Sequence, residues 1–151
     1  MTLNTDPGDF VTRFGLYPWQ TKILEMCRKH DRSIVLIYDP HGNSGKSTFS
    51  DYLDYKQVAL KIRSRNFMKS LATHEAYTIN MPDMNKDQLF KFISDVESLK
   101  DGHIYEMNRR FKKRRIDRPQ VVVFTNWLPS CFSTMGKWKV YVMTSEKDIE
   151  L

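Results

Sequence analysis

The stretch Ser33-Ile34-Val35-Leu36-Ile37-Tyr38-Asp39-Pro40-His41-Gly42-Asn43-Ser44-Gly45-Lys46-Ser47-Thr48 decides how this 151-residue chain is read. Its first part is a short, continuous apolar run. That is what a strand buried on both faces of a parallel sheet requires, whereas a half-exposed strand alternates. A turn holding two glycines follows, and a helical pattern opens near Lys46. The phosphate-loop pattern is G-x-x-x-x-G-K-[ST]; Gly45-Lys46-Ser47 supplies its end, and Pro40 stands where the first glycine would be. Strand, glycines, Lys-Ser and helix coincide in the order that a phosphate cradle needs.

The chemistry explains those residue types. Glycines let backbone amides curl around phosphate oxygens, and a helix N-terminus adds a favourable dipole. His41, Gly42, Asn43, Ser44, Gly45, Lys46, Ser47 and Thr48 are therefore the candidate nucleotide-binding residues. Lys46 would neutralise the β and γ phosphates, and the Ser47 hydroxyl would ligate Mg²⁺, so ATP and Mg²⁺ are the implied cofactors. The bland alternative is an ordinary strand-to-helix turn with Lys46 merely solvated.

Outward from this stretch, helices and strands alternate. Tyr17-Pro18-Trp19-Gln20 opens a helix, with Trp19, Ile23, Met26, Cys27 and His30 at helical spacing. Val58 to Ile62 reads as a weak strand, Ser64 to Thr73 as a helix and Ala76 to Asn80 as a strand. Residues 85 to 100 place Leu89, Phe92, Ile93, Val96 and Leu99 on one stripe. Gln120 to Thr125 and Trp138 to Met143 complete five strands. Strands separated by helices predict an α/β domain with a largely parallel sheet, because parallel neighbours need crossover connections. Residues 1–16 form a polar, flexible lead-in, and 17–151 the domain proper.

The formal charge of +6 has one location. Residues 109–118 read Arg-Arg-Phe-Lys-Lys-Arg-Arg-Ile-Asp-Arg, seven bases and one acid; of 24 bases and 18 acids in all, this leaves 17 of each elsewhere. Such a cluster on a neutral remainder fits a phosphate-rich partner; a solvated charge run and a nuclear-localisation patch are the alternatives. No apolar run approaches the roughly 18 residues of a membrane span, so no membrane partner is expected. The amino terminus lacks the pattern of a secretory signal. With only Cys27 and Cys131, free thiols in a reducing compartment are the expectation.

A metal-holding acid should end a later strand. After Ala76-Tyr77-Thr78-Ile79, the expected position holds Asn80, and Asp83 follows three residues on. An amide accepts a hydrogen bond but supplies no negative charge, so Asp83 is the alternative metal ligand, unless it caps the helix that follows.

These residues together resemble the superfamily 3 helicase domain of replication-initiator (Rep) proteins from small circular single-stranded DNA viruses, such as circoviruses and nanoviruses. Four pieces between Tyr17 and Met143 carry the likeness: Tyr17-Pro18-Trp19-Gln20; Asp39 to Thr48; Val96-Glu97-Ser98-Leu99-Lys100-Asp101-Gly102; and Val121 to Pro129, an apolar strand ending in Asn126 with Pro129 close behind. The resemblance implies a P-loop NTPase fold of AAA+-like type, with a mostly parallel five-stranded sheet flanked by helices and a basic β-hairpin. It implies a ring, usually a hexamer, that moves along single-stranded DNA in rolling-circle replication. By the same likeness Asn126 would sense the γ-phosphate. The segment from His103 to Arg118 would grip the strand: Arg109, Arg110, Lys112, Lys113, Arg114 and Arg115 on phosphates, Tyr105 and Phe111 on bases, with His103 in the same nucleic-acid-binding set.

The departures matter as well. Lys137 stands before Trp138 where the family has an arginine finger, and Lys gives a point charge without the bidentate fork. The family's endonuclease motifs are absent from these residues. The resemblance implies a host-nuclear protein; without it, a cytoplasmic, non-secreted one. A nucleic-acid-binding module with a degenerate nucleotide site and a small-molecule P-loop kinase stay open as alternatives, although the kinase leaves Arg109 to Arg118 unexplained.

Overall fold

A strand that is apolar at every position must be covered on both faces and hydrogen-bonded along both edges, and the fold meets that demand around residues 34–38. A computed structural model describes residues 15–29, 31–42, 45–63, 74–106 and 112–151. The helix expected over 64–73, His30, Asn43, Ser44, Arg109, Arg110, Phe111 and most of the lead-in lie outside the described residues.

The elements in order are α1 (Pro18–Arg28), β1 (Ile34–Tyr38), α2 (Lys46–Tyr55), β2 (Leu60–Ile62), β3 (Ala76–Met81), α3 (Lys86–Lys100), β4 (His103–Glu106), β5 (Lys112–Arg115), β6 (Gln120–Thr125), a 3₁₀ turn (Ser130–Thr134), β7 (Trp138–Met143) and β8 (Ile149–Glu150). The main sheet runs β2-β3-β6-β1-β7-β8. β1 is parallel to β6, with Val35 opposite Val122 and Tyr38 opposite Thr125, and parallel to β7, with Ile34 opposite Trp138. β3 continues the parallel set beside β6, and β2 beside β3. The five expected strands are therefore present, but the sheet has six. β8 is antiparallel to β7 and only two residues long, too short for any periodicity to reveal. It forms because the chain reverses at 144–148, where the Thr144 amide donates to the Asp148 carbonyl at 2.8 Å.

Each strand sends alternate side chains to opposite faces, so the apolar residues fall into two clusters. Val35, Ile37, Val122 and Phe124 meet Trp19, Ile23, Phe49 and Leu53 of α1 and α2. Ile34, Leu36, Val121 and Val123 meet Leu89, Ile93, Val96 and Leu99 of α3, with Phe132 and Trp138 beside them. Burying one such side chain contributes about 1.5–3 kcal/mol. Trp19 is fully buried and meets Phe49 and Phe124 edge-on, with centroids 5.2 and 6.4 Å apart, which locks α1 to α2 and β6. The helix α3 starts with a reciprocal cap: Asn85 Oδ1 accepts from the Gln88 amide at 2.9 Å, and Gln88 Oε1 accepts from the Asn85 amide at 3.1 Å. The cap is thus Asn85 rather than Asp83. Both cysteines are free, and burial pushes the Cys27 thiol up to about 12.

At the far end of α3 the chain is tied down tightly. Lys100, 4% exposed, donates to the Asp31 carbonyl, to the Pro119 carbonyl at 2.9 Å and to Gln120 Oε1 at 3.0 Å. Gly102 adopts φ +89°, and a Cβ there would overlap the Ile116 carbonyl oxygen. The Ile116 amide donates to the Gly102 carbonyl at 2.7 Å, closing the base of the β4–β5 hairpin.

Two predictions follow from this anchor. Gly102→Ala should lower unfolding free energy by about 1–3 kcal/mol in urea titration, because both backbone strain and overlap oppose it; an unchanged midpoint would contradict the geometry. Burial lowers the Lys100 ammonium to about 8 from its usual 10.5. Between those values the unfolded chain holds the proton that the native chain has released, so this residue makes stability rise with pH across that window. The rise should be on the order of 1–3 kcal/mol and should vanish in Lys100→Met when both proteins are unfolded at pH 8 and pH 10.

Candidate functional site

Parallel strands bring their carboxyl ends to one edge of the sheet, and loops leaving that edge can converge on a ligand. β1, β3 and β6 do so here. Beyond β1 the chain passes Asp39, turns through Gly42 (φ +69°) and Gly45 (φ +86°), and enters α2 at Lys46. The left-handed conformation at Gly45 is strained for a side-chain-bearing residue, which is why a glycine precedes the lysine. Lys46 is thereby carried back over the end of the sheet.

Its ammonium is held there by two oxygens. Lys46 Nζ lies 2.8 Å from Asp39 Oδ2 and donates to Asn126 Oδ1 at 2.9 Å. Asp39 is 1% exposed, and the Lys46 side chain 12%. The Asp39 amide donates to the Thr125 carbonyl at 2.9 Å, extending the β1–β6 ladder by one step. Thr125 Oγ1 donates to the Trp127 carbonyl at 2.8 Å and accepts from the Trp127 amide at 3.1 Å, fixing the chain on either side of Asn126.

A cleft of about 560 Å³ opens above this group, lined among others by Gly45, Lys46, Ser47, Thr48, Asn80 and Asn126. The structure therefore brings together Lys46, the hydroxyl residues Ser47 and Thr48, Asn80 near the end of β3 and Asn126 just beyond β6, although Asn126 and Lys46 are 80 positions apart. Among the described residues, Lys46 is the one charged residue in that lining. His41 and Gly42 lie in the preceding turn and do not line the cleft. Asp83 does not line it either: it sits exposed in the stretch leading to α3. Of the two residues considered for the metal, Asn80 faces the cleft. Ser47 and Asn80 could hold a cation only as neutral oxygens, with Asp39 the nearby carboxylate.

Lys137 lies elsewhere. Its carbonyl accepts from the Ile34 amide at 2.7 Å, at the start of β1, and its ammonium is 3.4 Å from Asp101 Oδ2. Lys46 is beyond the other end of that five-residue strand, roughly 16 Å away or more. The two lysines cannot meet within one chain. The hairpin rises from the same edge as Lys137, with His103 opposite Arg115, Ile104 opposite Arg114, Tyr105 opposite Lys113 and Glu106 opposite Lys112. Lys112, Lys113, Arg114 and Arg115 thus form one strand of it.

A second cleft, about 520 Å³, lies between β2, β3 and α3 and shares Asn80 and Pro82 with the first. The cations on its rim are already paired, Lys61 with Asp51 at 3.0 Å, Arg63 with Asp51 at 3.2 Å and Lys91 with Asp95 at 3.0 Å. It is the weaker candidate for a phosphate group.

Asp39 is the residue that sequence reading missed. The signal was available: an acid directly after a fully buried strand is removed from water and needs a cation within reach.

No protein-family profile matches the chain. It is similar to Para-Rep C7 of Faba bean necrotic yellows C7 alphasatellite, 29% identical over 127 residues that cover 77% of this chain and 44% of that protein. It is 28% identical to Para-Rep C10 of Milk vetch dwarf C10 alphasatellite over the same coverage. A shorter stretch of 45 residues is 38% identical to Para-Rep C6 of Subterranean clover stunt C6 alphasatellite. The chain spans less than half the length of the first two relatives. It is thus similar to the replication-associated, Rep-like proteins that alphasatellites carry.

Proposed function

We propose that this chain is the nucleotide-driven motor of a Rep-like replication protein, an AAA+-like superfamily 3 helicase domain that hydrolyses ATP and moves along single-stranded DNA in rolling-circle replication. The observation that carries the reading is the convergence of Lys46, Ser47, Asn80 and Asn126 on one cleft at the carboxyl ends of β1, β3 and β6. Likeness to Para-Rep proteins over 77% of the chain supports the replication context.

In this reading the turn amides and the start of α2 receive the phosphates, and Lys46 offsets the charge that grows on the γ-phosphate oxygens. Asn126 reports on that phosphate because it already shares the Lys46 ammonium. Ser47 and Asn80 would hold Mg²⁺ as neutral oxygen donors, and the ion, when bound, would supply positive charge against the phosphates. The β4–β5 hairpin holds the strand through Lys112, Lys113, Arg114 and Arg115. Lys137, on the hairpin's side of the sheet, serves a neighbouring chain's cleft in a ring, a hexamer by the family's usual number. The host nucleus is the matching location.

A second reading has one observation in its favour. The cleft presents Asn80 where a carboxylate would hold the metal, which suits a nucleic-acid-binding module whose nucleotide site has lost its turnover.

Purified protein should hydrolyse ATP faster with single-stranded DNA present, and Lys46→Ala should cut that rate roughly 100-fold or more. A rate unaffected by the substitution would overturn the motor reading. The affinity for single-stranded DNA should fall steeply with salt. Replacing Lys112, Lys113, Arg114 and Arg115 together by alanine should flatten the slope of log K against log salt by about 3, at about 0.7 per phosphate contact. An unchanged slope would remove the hairpin from the DNA track.

A further inference from the structure

We infer that Tyr17 and Lys147 form the seat of the nucleobase, a recognition element that the phosphate-loop pattern does not contain. The inference rests on the nucleotide reading above and concerns the end of the nucleotide that the phosphate turn does not touch.

The chain reverses between β7 and β8 at a residue poorly suited to the turn. Lys147 adopts φ +58°, a left-handed conformation that glycine takes at no steric cost and lysine rarely does. The turn is held all the same: the Asp148 carboxylate pairs with Lys22 at 2.7 Å, and the Lys147 amide donates to the Thr144 carbonyl at 3.1 Å. From there the Lys147 side chain reaches Tyr17. Its Nζ lies 4.3 Å from the centroid of the Tyr17 ring and 3.3 Å from the Tyr17 hydroxyl oxygen, and the Lys147 carbonyl accepts from the Trp19 amide at 3.2 Å. Tyr17 is fixed from its own side as well, its amide donating to Oε1 of the fully buried Gln20 at 2.8 Å. The residue so held is 39% exposed. An exposed cation–π contact contributes little stability by itself, whereas strain kept in a turn is a feature of ligand clamps.

Strand and helix directions place this pair beside the phosphate turn. β7 ends at the sheet's carboxyl edge, with Val142 opposite Tyr38, and hands the chain to the Lys147 turn. α1 begins at the same edge: the Trp19 amide reaches that turn, and the Trp19 ring meets Phe124, one residue from the end of β6. α1 and α2 cover one face of the sheet, and Trp19 meets Phe49 with centroids 5.2 Å apart. Trp19 stands two residues after Tyr17 and Phe49 three after Lys46, so the two helices start side by side. The edge thus presents, in strand order, Asn80 at β3, Asn126 at β6, Lys46 at β1, and Tyr17 with Lys147 at β7. A γ-phosphate on Lys46 and Asn126 takes the β6 side, which sends the other end of the nucleotide across the turn toward β7. There an aromatic face stacks on any base, and Lys147 adds donor hydrogens for a ring nitrogen or a carbonyl oxygen.

The test is calorimetric titration of wild type, Tyr17→Ala, Tyr17→Trp and Lys147→Gly. Each is titrated with a non-hydrolysable ATP analogue and, separately, with inorganic tripolyphosphate, Mg²⁺ being present in both. Tyr17→Ala should lose about tenfold in affinity for the analogue, the size expected when one base leaves an aromatic ring, and should keep its affinity for tripolyphosphate. Tyr17→Trp should hold the analogue at least as tightly as wild type. Lys147→Gly, which suits the backbone of the turn, should weaken the analogue several-fold and again spare tripolyphosphate. A purely structural role predicts equal losses for the two ligands, and that result overturns the proposal. So does a Tyr17→Ala protein that binds the analogue as wild type does; the phosphate reading then survives through tripolyphosphate. Should Tyr17→Ala fail to fold, Lys147→Gly decides by the same comparison. A wild-type chain that binds neither ligand refutes the nucleotide reading and the base seat with it.

Discussion

β1 is hydrogen-bonded to β6 on one side and β7 on the other, and its side chains are buried on both faces. A strand so enclosed has one exit, at its carboxyl end, and the chain that leaves must reverse within seven residues to begin α2. That reversal needs the left-handed glycine at 45 and carries Lys46 over the end of the neighbouring strand β6. The contact between Lys46 and Asn126 is thus a consequence of strand order: it exists because β6, rather than β2 or β3, lies beside β1. Asp39, at the mouth of the same strand, supplies the negative charge that lets a lysine sit against the sheet.

The two ends of the sheet are given different work. The carboxyl end of β6 presents Asn126 to the lysine, while its amino end is held by Lys100 through Gln120 and the Pro119 carbonyl. The hairpin that carries the positive charge leaves α3 at that second end, closed by Gly102 and Ile116. The basic hairpin and Lys46 therefore stand on opposite edges of one layer. Lys137 belongs with the hairpin, so any effect of it on phosphate chemistry requires a second chain.

Much of this was legible from the residues. Continuous apolar runs at 34–38 and 120–125 marked strands buried on both faces, and the stripe Leu89, Ile93, Val96, Leu99 marked the face of α3, since both patterns follow directly from burial. The strand order was not legible, because periodicity says which residues are covered and nothing about which strand covers the next. β8 escaped for a related reason: two residues at a sheet edge are fixed by the reversal at 144–148 and not by their own preference. Within the site, the strand-to-helix turn at Gly45-Lys46-Ser47 was readable, since glycine, lysine and serine have fixed offsets along the chain. The Asp39 pairing was hidden by the turn that brings positions 39 and 46 together. Asp83 drew attention as an acid near the end of β3, yet an exposed loop places it outside the cleft and leaves Asn80 there.

The most direct measurement is a crystal structure of the protein with a non-hydrolysable ATP analogue and Mg²⁺. The account predicts a γ-phosphate oxygen within hydrogen-bond distance of Lys46 Nζ, with Asp39 and Asn126 still on the same ammonium and Asn80 facing the phosphates. A nucleotide bound elsewhere, or phosphates that make no contact with Lys46, would contradict it.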